Sequence, residues 1–376
     1  MIEIYRQAVK QSIRAVTWDD SSFYFYLLLI FLAVIIGWIA ESRKRIANTT
    51  NNSFLFLLLF FLLAIPCSFR DTGDDTEVYR YLFLNAQYTD DPEVSLFEPG
   101  FIMLNRLLGL FIGDEIIGVA VFSAISFFFI IASIKRNCNR INVAIAIMGF
   151  VCIYYLQMYD LMRIYLATSI IVFAFMLFEK KDFFKVLILI SFCSLIHYST
   201  IVLLIPFFGY FLFQKSKKAF WISYAVMFVI LLGAVSYLED YILLINRYEG
   251  NVNHNEVQSI GPAQFIYHFP LFLVLFLSYK NRIWDNLTDW LLVFSLISLL
   301  LGLFSYKMPI AGRLNVHMMV IYTLLLPHQL YLFKVNKYKY RQPITAFIIV
   351  FLMFKLHLYL LTGLATDGIM PYKFAY

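Results

Sequence analysis

Long apolar runs constrain this chain more than any other feature. Twelve of them recur, near residues 23–40, 53–69, 116–134, 141–158, 161–178, 183–197, 199–213, 219–237, 263–279, 287–304, 313–333 and 343–361. A helix needs about 20 apolar residues to cross the hydrocarbon layer, where lipid offers no partner to backbone N–H and C=O groups. The pattern therefore predicts an all-α polytopic membrane protein with about 12 transmembrane helices, built as a single integral membrane domain over residues 1–376. Composition agrees, with 61% hydrophobic and 14% charged residues. A soluble domain carries about 45–50% and about 25%. A soluble enzyme, a nucleic-acid-binding module and a disordered scaffold are excluded on that ground.

The charges report topology. Six short segments (41–52, 135–140, 179–185, 214–218, 279–286 and 333–341) hold 18 of the 30 Lys and Arg residues. Under the positive-inside rule these loops are cytoplasmic, which places the N-terminus outside. Acidic residues gather on the other face, notably Asp71, Asp74, Asp75, Glu77, Glu98, Asp114 and Glu115. The net charge of +6 is thus a topology signal and implies no nucleic-acid partner. Residues 1–22 carry Arg6, Lys10, Arg14, Asp19 and Asp20, so no cleavable signal peptide is expected there. Cys67, Cys138, Cys152 and Cys193 lack metal-site spacing and read as apolar fillers.

Two larger segments, 70–115 and 238–262, fall outside the membrane. In the first, Phe101, Leu104, Leu107, Leu108 and Phe111 recur at helical spacing, which predicts an outward-facing amphipathic helix on or in the outer leaflet. The second is polar enough for a lid or a substrate-contacting loop. EPGF (98–101) and Gly261-Pro262 read as helix starts.

Ionisable residues in or beside apolar helices are costly and mark candidate chemistry. Arg70 ends the second run, Asp160 and Arg163 sit between the fourth and fifth, and His197 lies between the sixth and seventh. Arg313 and His317 open the eleventh at i, i+4 and should share a helix face, with Lys307 just before them. Lys355 and His357 lie within the twelfth. Arg70, Arg163, Lys307 and Arg313 at one depth would suit an anion, since a guanidinium fork matches phosphate oxygens bidentately. The plainer reading is that each cation snorkels to the interface. Asp74 and Asp75 either bind a metal, serve as base, or cap the helix that follows, with Val78 at its third position. No third metal ligand is obvious, so no metal site is assigned. His197 is either a packed structural histidine or a base.

The FR-x-x-GDDT-x-x-Y pattern at 69–79, EPGF at 98–101, DLMRIYLATSI at 160–170, IHYST at 196–200, Arg313 and the terminal PYKF at 371–374 resemble the EpsG-type polysaccharide polymerases. That family is similar to the Wzy O-antigen and capsule polymerases. The resemblance runs in order across nearly the whole chain. It implies a GT-C-like membrane glycosyltransferase without a metal or other cofactor, in the bacterial inner (plasma) membrane. The enzyme would join undecaprenyl-pyrophosphate-linked oligosaccharide repeats on the outer face, among membrane lipids and with a Wzz-like chain-length regulator as a partner.

On that reading Arg163 and Arg313, with Arg70, hold the diphosphate, and His197 first or Asp75 second serves as base. Asp74, Lys307 and His317 are further substrate contacts. Tyr79 and Glu98 orient the outer segment. A glycan ligase, or a flippase for lipid-linked oligosaccharides, is the alternative. A flippase should spread its charges through the membrane depth, whereas here they gather at the outer ends.

Overall fold

The computed structural model describes residues 18–47, 53–87, 94, 97–179, 182–229, 263–305 and 313–375. Lys307, the 238–262 segment with its Gly261-Pro262 step, and the charged residues Arg6, Lys10 and Arg14 lie outside them. The described residues are nearly all helical. Their one β feature is an isolated antiparallel bridge between Arg70 and Phe374.

Six helical segments are long and apolar enough to cross a membrane: Asp20–Arg43, Glu115–Asn137, Tyr198–Lys215, Asn286–Leu303, Asn315–Val335 and Arg341–Leu361. Four more, Ser53–Ser68, Val143–Ile153, Met162–Phe173 and Phe183–Ile196, are apolar but shorter. The chain is a multi-pass membrane protein by this pattern.

The chain divides into two compact units. The first holds residues up to Ile201 and from Tyr322 onward. In it lie α1 (Asp20–Ala47), α2 (Ser53–Ser68), α3 (Thr76–Asn85), α4 (Pro99–Gly109), α5 (Glu115–Asn137), α6 (Val143–Ile153), α7 (Met162–Phe173), α8 (Phe175–Glu179) and α9 (Phe183–Ile196). Helix α5 is central, packing on α2, α3 and α7, while α6 packs on α1. Serines let the apolar helices approach: Ser133 Oγ of α5 donates to the Val172 carbonyl of α7 at 3.0 Å. All four cysteines are free and buried.

The second unit, Val202–Ile321, contains α10 (Leu204–Lys215), helical residues 217–229, α11 (Ala263–Lys280) and α12 (Asn286–Ser305). Helix α12 packs on both α10 and α11, and Trp290 stacks on Tyr210 at 3.7 Å between ring centroids. The chain re-enters the first unit at Tyr322, with α13 (Leu326–Val335) and α14 (Arg341–Thr366).

Short helices matter for the site. At about 1.5 Å per residue, the 11 residues of α6 rise only about 16 Å of a hydrocarbon layer about 30 Å thick. A 3₁₀ turn over Leu156–Tyr159 and the start of α7 at Met162 follow. Asp160 closes that turn, and Arg163 is the second residue of α7. The expected run 161–178 is divided at Ala174 between α7 and α8.

Two expectations about faces are corrected. Arg313 is exposed while His317 is 1% exposed, so they do not share a face. Residues Asn315–Met319 wind as a 3₁₀ helix and Ile321–Leu325 as a π-helix. At three residues per turn, i and i+4 lie about 120° apart. In the outer segment a helix does start at Pro99, as EPGF predicts, but it ends at Gly109 and buries Phe101 with Asn105. The Asn105 amide donates to the Phe101 carbonyl at 2.8 Å, which lets a polar residue occupy the inner face. Leu107 and Phe111 are exposed instead, so the expected apolar stripe is split between inner and outer faces.

Candidate active site

Five residues singled out above converge in the first unit. Glu98 is the hub. It occupies the N-cap position of α4, is 4% exposed, and binds two cationic-type groups at once. Its Oε2 accepts from Arg163 Nη1 at 2.5 Å, and its Oε1 lies 2.9 Å from His197 Nδ1. Arg163 is the second residue of α7, and His197 is the extended residue that ends α9.

A glycine makes the meeting possible. A Cβ on Gly100 would lie 2.7 Å from Leu195 Cβ and 2.8 Å from the Leu195 carbonyl oxygen. Only a bare Cα lets the start of α4 approach the end of α9 closely enough for Glu98 to reach His197.

Aromatic rings hold the guanidinium. Arg163 Cζ lies 4.8 Å from the Phe97 ring centroid, 5.7 Å from Tyr79 and 5.9 Å from Phe101. Such contacts contribute about 0.5–2 kcal/mol each where water is excluded. Arg163 Nε is buried and has no hydrogen-bond partner among the described residues. Arg70 Nη2, Arg80 Nε and His197 Nδ1 are buried without a partner in the same way, and such groups are uncommon in folded proteins.

Asp75 and Tyr79 complete the cluster. Tyr79, 2% exposed, places its hydroxyl 3.2 Å from Asp75 Oδ2 and 3.3 Å from the Asp160 carbonyl. The Asp75 N–H donates to Asp160 Oδ1 at 3.2 Å, tying the acidic loop to the turn that carries Arg163. Asp75 does occupy the N-cap position of α3, but its side chain makes no capping hydrogen bond. The capping reading is corrected to that extent, because the carboxylate is turned to Tyr79. Asp74 is exposed beside it. Among the described residues no three His, Cys, Asp or Glu side chains gather as metal ligands.

Burial alone would raise the Glu98 carboxyl, but the His197 ring beside it and the Arg163 charge outweigh it and hold it at about 2. A carboxyl depressed on folding stabilises the fold above its ordinary value near 4.5, and that stability drains as pH falls toward about 2. The shift is worth at most about 3 kcal/mol. Thermal midpoints of the solubilised protein should therefore fall more steeply between pH 4.5 and 3 for the wild type than for Glu98→Gln. Parallel curves would remove the ionised Glu98 from the stability of this site.

Arg70 does not join them. It is 1% exposed, with Nε on the Tyr159 carbonyl at 2.7 Å and Nη1 on the Cys67 carbonyl at 2.5 Å and Ser123 Oγ at 3.1 Å. These bonds clamp the end of α2 to the turn before α7, while Nη2 is buried with no hydrogen-bond partner among the described residues. We expect Arg70→Ala to lower the amount of folded protein severalfold, with the rate per folded molecule of Arg70→Lys little changed. A specific loss of rate in folded Arg70→Lys would restore a substrate role. Arg313 and His317 belong to the second unit.

Phe97 was not singled out by sequence, although an aromatic residue directly before a buried Glu-Pro helix start was the available signal. The central place of Glu98 was likewise visible only as an acid at a helix start.

Comparison with known proteins adds one match. The EpsG family profile covers residues 53–374, which spans every residue of the cluster. Neither curated proteins nor solved structures give a match. On this match, over most of its length, the chain belongs to the EpsG family, that of the Wzy/EpsG-type polysaccharide polymerases.

Proposed function

We propose that this chain polymerises oligosaccharide repeats carried on undecaprenyl pyrophosphate, at the outer face of the inner membrane. The observation that carries the reading is the buried Arg163–Glu98–His197 cluster, gathered from three helix ends. Outside the cytoplasm no nucleotide sugar is at hand, so the donor must arrive activated and membrane-tethered. A polyprenyl diphosphate glycan is such a donor.

In this reading Arg163 offers its unspent donor to the diphosphate. An acceptor sugar hydroxyl on a second lipid-linked repeat attacks the donor's anomeric carbon. The new glycosidic C–O bond forms as the bond to the diphosphate breaks, and the lipid diphosphate leaves with the electron pair. Arg163 stabilises that growing charge from a pre-organised position in a water-poor site, where such donors act most strongly. His197 takes the hydroxyl proton. His197 Nδ1 lies 2.9 Å from Glu98 Oε1, close enough for the carboxylate to favour a proton on Nδ1 and leave the lone pair on Nε2. Asp75, held between Tyr79 and the Asp160 turn, is the second candidate for that proton.

The test is a strain that lacks this gene and still makes lipid-linked repeats. Wild-type complementation should convert single-repeat surface glycan to a ladder on a gel. Arg313→Ala in the same strain tests the exposed arginine of the other unit separately. A ladder already present in the uncomplemented deletion, or none restored by the wild type, would overturn the polymerase reading. Loss of even the first attached repeat would indicate the ligase.

A further inference from the structure

The terminal PYKF motif has no role in the chemistry above, yet the chain's last residues lie against the acidic loop. Ser22 Oγ of α1 accepts from Tyr372 N–H at 2.8 Å, and the Tyr372 hydroxyl donates to the Pro66 carbonyl of α2 at 3.1 Å. Tyr26 of α1 donates to the Ile369 carbonyl at 2.6 Å. Asp71 N–H donates to the Lys373 carbonyl at 2.8 Å, and Ala375 N–H to the Phe69 carbonyl at 2.9 Å, on either side of the Arg70–Phe374 bridge. The segment is thus fastened to two helices and paired with the chain entering the GDDT loop.

Its contact with that loop is a pair of interlocked glycines. Gly73 N–H donates to the Gly368 carbonyl at 3.0 Å. Gly73 has φ +98° and Gly368 φ +60°, both in the region that favours glycine. A Cβ on Gly73 would collide with the Tyr159 carbonyl oxygen, and one on Gly368 with Asp74 Oδ1. At Gly73 the obstacle is backbone, whereas at Gly368 it is the end of the exposed Asp74 side chain, which would have to swing away. From Gly73 the contacts continue through Asp75 N–H to Asp160 Oδ1, three residues before Arg163.

We propose that residues 367–375 are a positioning strap for the active site, with Gly368 as the residue that sets where Asp74 and Asp75 stand relative to Arg163. The geometric half stands on the contacts just given, and the catalytic half rests on the polymerase reading. The strap makes no contact with the reacting atoms. It acts by holding the acidic loop.

The test uses full-length protein in lipid nanodiscs: wild type, Gly368→Ala, Asp74→Ala and the double variant. An L-residue in a left-handed backbone is disfavoured by roughly tenfold. Amides of residues 71–76 should therefore exchange with deuterium about tenfold faster in Gly368→Ala, while those of Met162–Phe173 keep their rates. Polymer formation per folded molecule should fall about tenfold, with KM for the lipid-linked repeat within twofold. A merely structural role would lower the folded fraction and leave that turnover unchanged.

Because the new methyl meets Asp74, the double variant should lose less than the two single changes combined, keeping only the part that comes from the left-handed backbone at residue 368. Should Gly368→Ala not fold, Tyr372→Phe, which deletes only the bond to Pro66, should speed loop exchange about fivefold. Unchanged loop exchange, or a loosened loop with unchanged turnover, would overturn the strap. A wild type that forms no polymer while its loop still responds to Gly368→Ala would sink the polymerase reading and leave the positioning geometry standing.

Discussion

Replacing Arg163 by alanine is expected to lower polymer formation at least about 100-fold, the usual cost of losing one pre-organised donor to developing charge. Stability should fall with it. Glu98 is buried and gives one carboxylate oxygen to Arg163 and the other to His197, so removing the arginine leaves a buried charge half compensated. Breaking one partner of a buried ion pair costs about 3–5 kcal/mol. Two further variants separate the effects. Arg163→Lys keeps the charge but gives up the planar fork and its fit between the Phe97 and Tyr79 rings, so the rate should stay at least about tenfold low in folded protein. Arg163→Ala with Glu98→Gln should recover much of the stability and none of the rate, because the orphaned charge is gone while the donor is still missing. Initial rates from lipid-linked repeats in vesicles, normalised to folded protein by size-exclusion, decide it. Near-normal polymer from Arg163→Lys would remove the fork from the mechanism.

Why Arg163 and not Arg70 could not be told from sequence. Both end or begin an apolar run, and both follow the pattern of a cation near the outer interface. What separates them is which neighbours reach the guanidinium. Arg70 meets two carbonyls and Ser123 from three different stretches of chain, and nothing local to residues 66–72 announces that. Helix existence was legible for a simpler reason: lipid forces every apolar run to satisfy its own backbone, so composition alone decides the element.

Where those runs break was not legible. The 3₁₀ and π windings between Asn315 and Leu325 replace a regular helix without any proline or glycine to mark them. The contacts at Asp160 depend on Tyr79 and Asp75 arriving from a segment some eighty residues earlier in the chain. Glu98, Arg163 and His197 were each visible as charged or titratable residues beside apolar helices. Their convergence on one carboxylate required Gly100, whose closeness to Leu195 is a tertiary fact.

Glu98→Gln should be the most damaging change that leaves the fold nearly its own shape. The amide is the same size as the carboxylate, and it must choose which end faces which partner. Arg163 can only donate, so the amide oxygen turns to Arg163 Nη1, where Oε2 now stands. The amide NH₂ then faces His197 Nδ1, in place of an oxygen 2.9 Å away. An NH₂ group donates, so Nδ1 has to accept, and the ring proton moves to Nε2. The nitrogen that should take the acceptor's proton is then already protonated. Holding a catalytic histidine in the wrong tautomer costs up to about 10⁴-fold in turnover, so a loss of about 10³–10⁴-fold is expected. The signature differs from that of Arg163→Ala. Donor affinity should be nearly kept in Glu98→Gln, since Arg163 remains and is freed from a competing charge, so kcat should collapse while KM holds or falls. Glu98→Gln with near-normal kcat in folded protein would show that His197 does not depend on this carboxylate for its tautomer, and the proton would then pass to Asp75.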